Sequence, residues 1–274
     1  MDISIVIVSY HSQAVIYRSL ESLRKTEWHD LEYEIFVVDN ATEADLAQEL
    51  ATHWPEVHYI PSNNIGYAAG NNLALRQASG KYFVVMNPDT AVEPNSIWEL
   101  YNFMEHHPQV GMVGPRQYNP DGDRQESCYR WHRLYTPFCR RSPRLVKFSW
   151  AKRELRRFLL ADVDLNQFCP VDWLLGSFLF IRAAAMRQVD YFDERYRLYF
   201  DDTDLSRKMW RHGWQVVYCP EVAILHDHQR ASAQMPWYKI LRSWTGRQHV
   251  LSWFKYLLKW GPGGKSHVPR GKNI

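Results

Sequence analysis

The sequence predicts an α/β protein built on a mainly parallel sheet sandwiched between helices, and three observations carry that prediction. Apolar runs rich in β-branched and aromatic residues occur at 3–8, 33–38 and 82–86 without polar alternation, the pattern of strands buried on both faces. Segments with helical apolar spacing alternate strictly with them. The three runs stop at polar clusters, Ser9-Tyr10-His11, Asp39-Asn40 and Asn87-Pro88-Asp89, and in such sheets ligands bind at the carboxyl ends of strands.

In chain order, strands are expected at 3–8, 33–38, 57–60 and 82–86, with helices at 14–23, 44–54 and 68–78 between them. A helix over 97–106 and a strand over 110–115 follow. The stretch 124–157 holds eleven Lys or Arg against two acids and has no clear period, which suggests a mobile or inserted segment. Strand character returns at 171–181, interrupted by Gly176 where a backbone or ligand can approach closely. A helix over 201–212, ended by Gly213, leads to a strand over 215–218. Over 237–260, Trp237, Leu241, Trp244, Leu251, Phe254 and Leu258 recur at helical spacings with Lys and Arg between them. That pattern fits a basic interfacial helix, weakened by Gly246, or core packing. The expected organisation is one domain over 1–232, with the basic insert inside it, and a helix and tail over 233–274.

The 274 residues suffice for a large core. The net charge is only +3 but is uneven, since no acid follows Asp227; basic surfaces of this kind suit phosphate-rich partners or anionic lipid. Four scattered cysteines fit free thiols in a reducing compartment. No window reaches the length of a transmembrane helix. A cytoplasmic protein, peripheral at the inner face of the membrane, is expected.

Five stretches taken together resemble the glycosyltransferase family 2 enzymes of the GT-A fold, and among them the bacterial rhamnosyltransferases of surface-polysaccharide (lipopolysaccharide, O-antigen) assembly. They are IVIVSYHS (5–12), IFVVDNAT (35–42), NNIGYAAGNNLAL (63–75), VVMNPD (84–89), and VDWLLGSFLFIR with YFDERYRLYFDDTDLSRKMWRHGW (171–182 and 191–214). The resemblance spans roughly 3–230. It implies a Rossmann-like nucleotide-diphospho-sugar transferase, and its roles fall on matching positions.

Asp39 would read a pyrimidine ring, although a turn cap is its plainer use. Ser9, Tyr10, Asn64, Gly66, Asn71 and Asn87 would line the nucleotide; Gly66 and Gly70 also suit tight packing alone. Asp89 would bind Mn²⁺ or Mg²⁺, which prefer carboxylate oxygen, and His226 would be the second ligand, with His228 as fallback. Asp202 would be the general base that takes the acceptor hydroxyl's proton, while Asp204 suits capping and dipole complementation. Trp173, Gly176, Ser177 and Asp201 would face the acceptor, with a core Trp as the alternative for Trp173.

Asn87 stands where many relatives have Asp, which fits a nucleotide lacking a 2′-hydroxyl. The implied reaction is therefore inverting transfer of one sugar, L-rhamnose from dTDP-L-rhamnose, to a lipid-linked or lipopolysaccharide saccharide, with no nucleic acid involved. Galactose or N-acetylglucosamine from a UDP-sugar is the alternative. A nucleotidyltransferase is disfavoured because Ser9-Tyr10-His11-Ser12 is not a Gly-rich triphosphate loop. A non-catalytic sugar-nucleotide-binding or scaffold protein would have lost the acids.

Overall fold

The structure, a computed structural model, describes residues 1–227 and 243–269. Its first half follows the expected alternation: β1 (Ile3–Ser9), α1 (Gln13–Arg24), β2 (Tyr33–Asp39), α2 (Ala44–His53), β3 (Val57–Pro61), α3 (Tyr67–Leu75) and β4 (Tyr82–Met86). A short β5 (Thr90–Val92), α4 (Ser96–His106) and β6 (Val110–Tyr118) come next. Two-residue strands β7 (Arg124–Gln125) and β8 (Cys128–Tyr129) precede α5 (Thr136–Arg141) and α6 (Ser149–Phe158). The chain continues through β9 (Cys169–Pro170), β10 (Trp173–Leu174), β11 (Phe178–Arg182), α7 (Ala183–Gln188), α8 (Asp201–Arg211), β12 (Gln215–His226) and α9 (Trp244–Trp260).

The main sheet runs β3-β2-β1-β4-β11-β6-β12-β5, parallel among β3, β2, β1 and β4 and between β6 and β12, with β11 antiparallel to both its neighbours. Successive side chains of a strand point to opposite faces. Ile3, Ile5, Ile7, Ile35 and Val37 accordingly pack with Leu20, Leu46 and Leu100 of α1, α2 and α4. Val6, Val8, Phe36, Val38, Phe83 and Val85 pack on the other face with Ala74, Met186 and Leu205 of α3, α7 and α8. Both faces are covered, which is why these strands read as continuous apolar runs; each fully buried Ile or Val contributes about 1.5–3 kcal/mol.

The basic stretch departs from expectation. It folds as α5 and α6, with Ala151, Glu154 and Phe158 buried on one face of α6. The period was hidden because one inward position is a charge. Glu154 is neutralised there by Arg157 at 2.7 Å and Arg133 at 3.3 Å, and Thr136 donates to it as well.

The C-terminal helix also differs. Its buried side is Ser252 and Tyr256, whereas Leu251, Phe254 and Leu258 point outward. Gly246 lies in its first turn, where its N–H is capped by Ser243 Oγ at 3.0 Å. Trp237 and Leu241 lie outside the described residues. Among the described residues no helix is long and apolar enough to cross a membrane.

Candidate functional site

Register brings the polar strand ends together. Ser9 of β1 lies beside Asp39 of β2, and Asn87 follows β4 directly. At the far edge β12 runs antiparallel to β5 and sets His226 opposite Thr90, one residue from Asp89. Two cavities open here. One, of about 310 Å³, is lined by Tyr10, Asn40, Asn64, Gly66, Asp89 and Arg197 among others. The other, of about 320 Å³, is lined by Gln125, Gly176, Ser177, Asp201, Asp202 and His226 among others. Tyr67, Asn87 and Leu198 line both, so the two share a wall.

Asp89 and His226 meet at that junction. Oδ1 of Asp89 is buried without a hydrogen-bond partner and lies 3.4 Å from Nε2 of His226. The other ring nitrogen, Nδ1, is 2.9 Å from Oε1 of Gln125. Gln125 turns that oxygen inward because its amide nitrogen donates to the carbonyl of His226 at 2.6 Å and to Oδ1 of Asn119. An amide oxygen only accepts, so Nδ1 carries a proton, and in the neutral ring Nε2 presents its lone pair toward Asp89. In that state a cation between the lone pair and the carboxylate makes the approach favourable, whereas a doubly protonated ring pairs with Asp89 directly. Cis ligands on an octahedral ion with 2.0–2.1 Å bonds stand about 3 Å apart, close to the separation here. The residues therefore fit a divalent cation completed by substrate oxygens, although no cluster of three or more His, Cys, Asp or Glu that could hold one occurs among the described residues. His228 lies outside those residues.

Asp202 lies in the first turn of α8, which follows Tyr199 and Phe200, two consecutive residues with left-handed backbone at φ 68° and 66°. Each such conformation costs about 1–3 kcal/mol and persists only when the surroundings enforce it. Here α9 enforces it: Ser252 Oγ donates to the carbonyl of Leu198 at 2.8 Å, and His249 packs on both rings. The Asp202 carboxylate is aimed by the N–H groups of Gly176 at 3.0 Å and Thr203 at 2.6 Å. A methyl on Gly176 would stand 3.1 Å from Cβ of Asp202. Burial raises the Asp202 pKa, against the pull of those donors. Burial and the Asp202 charge push Asp201 well above the ordinary carboxylate range. Asp202 keeps the backbone donors that favour its anion, whereas Asp201 is pushed the further of the two.

Tyr10, Asn64, Gly66 and Asn87 all line the first cavity, and a Cβ on Gly66, whose φ is 95°, would stand 2.8 Å from the Arg197 backbone and side chain. Other expectations need correction. Asp39 is fully buried and accepts from the N–H groups of Ala41, Thr42 and Glu43 and from Tyr59 Oη. Four donors fill the four lone-pair sites of a carboxylate, so in this arrangement it anchors the 40–43 turn and has none left for a pyrimidine. Asn71 is also buried beneath the cavity wall, its amide donating to the Tyr67 carbonyl. Ser9 is buried too. Trp173 is a core residue: its ring stacks on Tyr129 at 4.3 Å, its N–H donates to the Arg130 carbonyl, and Tyr129 takes the position on the cavity. Ser177 lines its cavity but gives its hydroxyl to Gln117 at 2.7 Å. Asp204 does not cap α8; it receives Lys259 Nζ at 2.8 Å, Trp260 Nε1 at 2.6 Å and Tyr196 Oη at 3.2 Å, tying α9 to α8.

Several lining residues escaped the sequence reading. Asn40 lines the first cavity with Oδ1 buried and unpartnered; Ser9 Oγ and Asn71 Oδ1 are likewise unpartnered nearby. Buried polar atoms without partners are uncommon, and their concentration here points to a polar ligand. Tyr67 donates to the Gly176 carbonyl at 3.0 Å and joins the two cavity walls. Arg197 and Trp244 bring a cation and a ring to the first cavity.

Comparisons with known proteins give the family and the fold. The model for "Glycosyl transferase family 2" matches residues 4–155, more than half of the chain, and that for "Glycosyl transferase family group 2" matches 82–260. The chain is 27% identical over 252 residues to the N-acetylglucosaminyl-diphospho-decaprenol L-rhamnosyltransferase of Mycobacterium tuberculosis, covering 85% of this chain and 78% of that one. It is 24% identical over 264 residues to the rhamnosyltransferase WbbL of Escherichia coli K12, covering 93% and 92%. Among solved structures, the mannosyltransferase PcManGT of Pyrobaculum calidifontis, in complex with GDP-Man and Mn²⁺, superposes with TM-score 0.62 at 17% identity, covering 96% of this chain and 65% of that one. The chain thus spans just under two thirds of that structure, whose likeness establishes a shared GT-A fold.

Proposed function

The chain belongs to glycosyl transferase family 2, and from that premise we propose that it moves a single sugar, L-rhamnose from dTDP-L-rhamnose, to a hydroxyl of a lipid-linked saccharide with inversion at the anomeric carbon. The observation that carries this reading is the division of the site: Asp89 lines one cavity, His226 lines the other, and Asp202 lines only the second. The first cavity, with Tyr10, Asn40, Asn64 and Arg197, takes the nucleotide. The second takes the acceptor.

Asp202 accepts the proton of the attacking hydroxyl, which is a poor nucleophile until a carboxylate relieves it of that proton. Gly176 and Thr203 hold the carboxylate in place, and burial beside Asp202 disfavours a second negative charge on Asp201. A single base with no protein nucleophile implies one displacement at the anomeric carbon, hence inversion. Asp89 and His226 would hold Mn²⁺ or Mg²⁺, which when bound supplies Lewis-acid neutralisation of the departing diphosphate. Asn87, on the wall between the cavities, contacts the nucleotide's sugar and suits a deoxyribose. The outward Leu251, Phe254 and Leu258, with Lys255 among them, support a peripheral position on an anionic membrane surface.

The lipid-linked acceptor is supported by the mycobacterial relative's name and the sugar by both rhamnosyltransferases. Competition of dTDP and UDP for the purified protein tests the donor. Tighter dTDP binding is expected; clearly tighter UDP binding would favour a galactosyl or N-acetylglucosaminyl donor instead.

A further inference from the structure

We propose that Arg140 binds the diphosphate joining the acceptor saccharide to its lipid, and that the lipid leaves the cavity across Phe138 and Trp253. The inference rests on the reading of the acceptor as lipid-linked. Arg140 lines the acceptor cavity together with Asp202, yet none of the carboxylates there comes within ion-pair distance of it. Its guanidinium is held by rings instead, 5.4 Å from the Tyr129 centroid and 5.2 Å from that of Phe158. A stacked guanidinium keeps its N–H fork free for an incoming oxyanion.

Its surroundings reinforce one sign. Arg141 is half-buried and has no acidic partner among the described residues; burial lowers its pKa, and the Arg140 charge adds to the effect. Burial, then Arg141 and Arg140, bring His249 down to about 3, so it stays neutral. Arg140, lining a cavity that also holds the proposed base and followed in sequence by Arg141, with no carboxylate paired to either among the described residues, complements an anion attached to the acceptor itself.

The apolar exit lies across α5, where Phe138 stands two residues before Arg140 and so on another face of the helix. Phe138, 57% exposed on α5, meets Trp253 of α9 edge-on at 5.9 Å. Phe254 and Leu258 continue the exposed apolar surface along α9. Charge and grease in this order match a polyprenyl diphosphate, with the head at Arg140 and the tail over the helix.

The test is calorimetric binding of farnesyl diphosphate, inorganic pyrophosphate and farnesol, with the donor cavity filled by whichever nucleoside diphosphate wins the competition above. Farnesyl diphosphate should bind more tightly than either fragment. Arg140→Gln should weaken it about tenfold, the scale of one charge-assisted contact, and Arg140→Lys should weaken it less. Phe138→Ser should weaken farnesyl diphosphate while leaving pyrophosphate unchanged. Equal affinity in the wild type and Arg140→Gln would overturn the assignment, and pyrophosphate binding as tightly as farnesyl diphosphate would overturn the lipid exit. Because the readout is binding, a failure of sugar transfer with this binding intact counts against the transfer reading alone.

Discussion

Gln125 Oε1 lies 2.9 Å from Nδ1 of His226, and this one contact sets which nitrogen of the imidazole faces Asp89. Partners of this kind fix tautomer and ring orientation in metal sites, and their loss costs about 10–100-fold in metal affinity or activity. Gln125→Leu should therefore raise the Mn²⁺ concentration needed for half-maximal binding, read by Mn²⁺ paramagnetic resonance in the presence of nucleotide, by about that factor. Unchanged Mn²⁺ binding would remove Gln125 from this role.

Asp201 carries a pH signature. Its folded-state pKa is raised by burial and by Asp202, so the native chain holds a proton that the unfolded chain releases above about pH 4. Stability conferred by that proton falls as pH rises through the window between the two values. Asp201→Asn removes the penalty, so its stability relative to wild type should grow from pH 4.5 to pH 7.5 in urea unfolding. A difference that shrinks over that range would contradict the assignment. Since the Asp202 pKa is also raised, the acid limb of kcat/KM should lie above the ordinary carboxylate range.

Lys259 and Asp204 fasten α9 to α8, with Asp204 fully buried. Lys259 also contacts Asp193 at 2.7 Å; although burial opposes it, Arg195 and Lys259 hold that carboxyl well below its usual range. Removing one partner of a buried pair leaves an uncompensated charge, so Lys259→Met should cost about 3 kcal/mol in chemical denaturation. Adding Asp204→Asn to it should restore part of the loss.

The fold was legible where both faces of a strand are buried, because continuous β-branched runs need no tertiary information. The residues at strand ends were legible for the same reason. The helix α6 was not, since an inward Glu154 interrupts its apolar period and becomes intelligible only beside Arg133 and Arg157. Gln125 carries no sequence signal: its partner His226 is 101 positions away and reaches it only through the sheet register. Trp173 was open to two readings for a related reason, because a Tyr129 ring, placed by strand pairing, takes the cavity face. In α9 the spacing of Leu251, Phe254 and Leu258 identified a real stripe, but whether a stripe faces core or solvent depends on what docks against the opposite side.

The division of labour among Asp89, His226 and Asp202 is tested most directly by release of nucleoside diphosphate from dTDP-L-rhamnose with Mn²⁺ and a lipid-linked acceptor. Wild type should release dTDP, and Asp89→Ala should lose both release and Mn²⁺-supported nucleotide binding. Asp202→Asn should keep nucleotide binding and fall about 10²–10⁴-fold in rate, the usual contribution of a general base. No release with any nucleotide sugar, or full activity in either variant, would contradict the assignment.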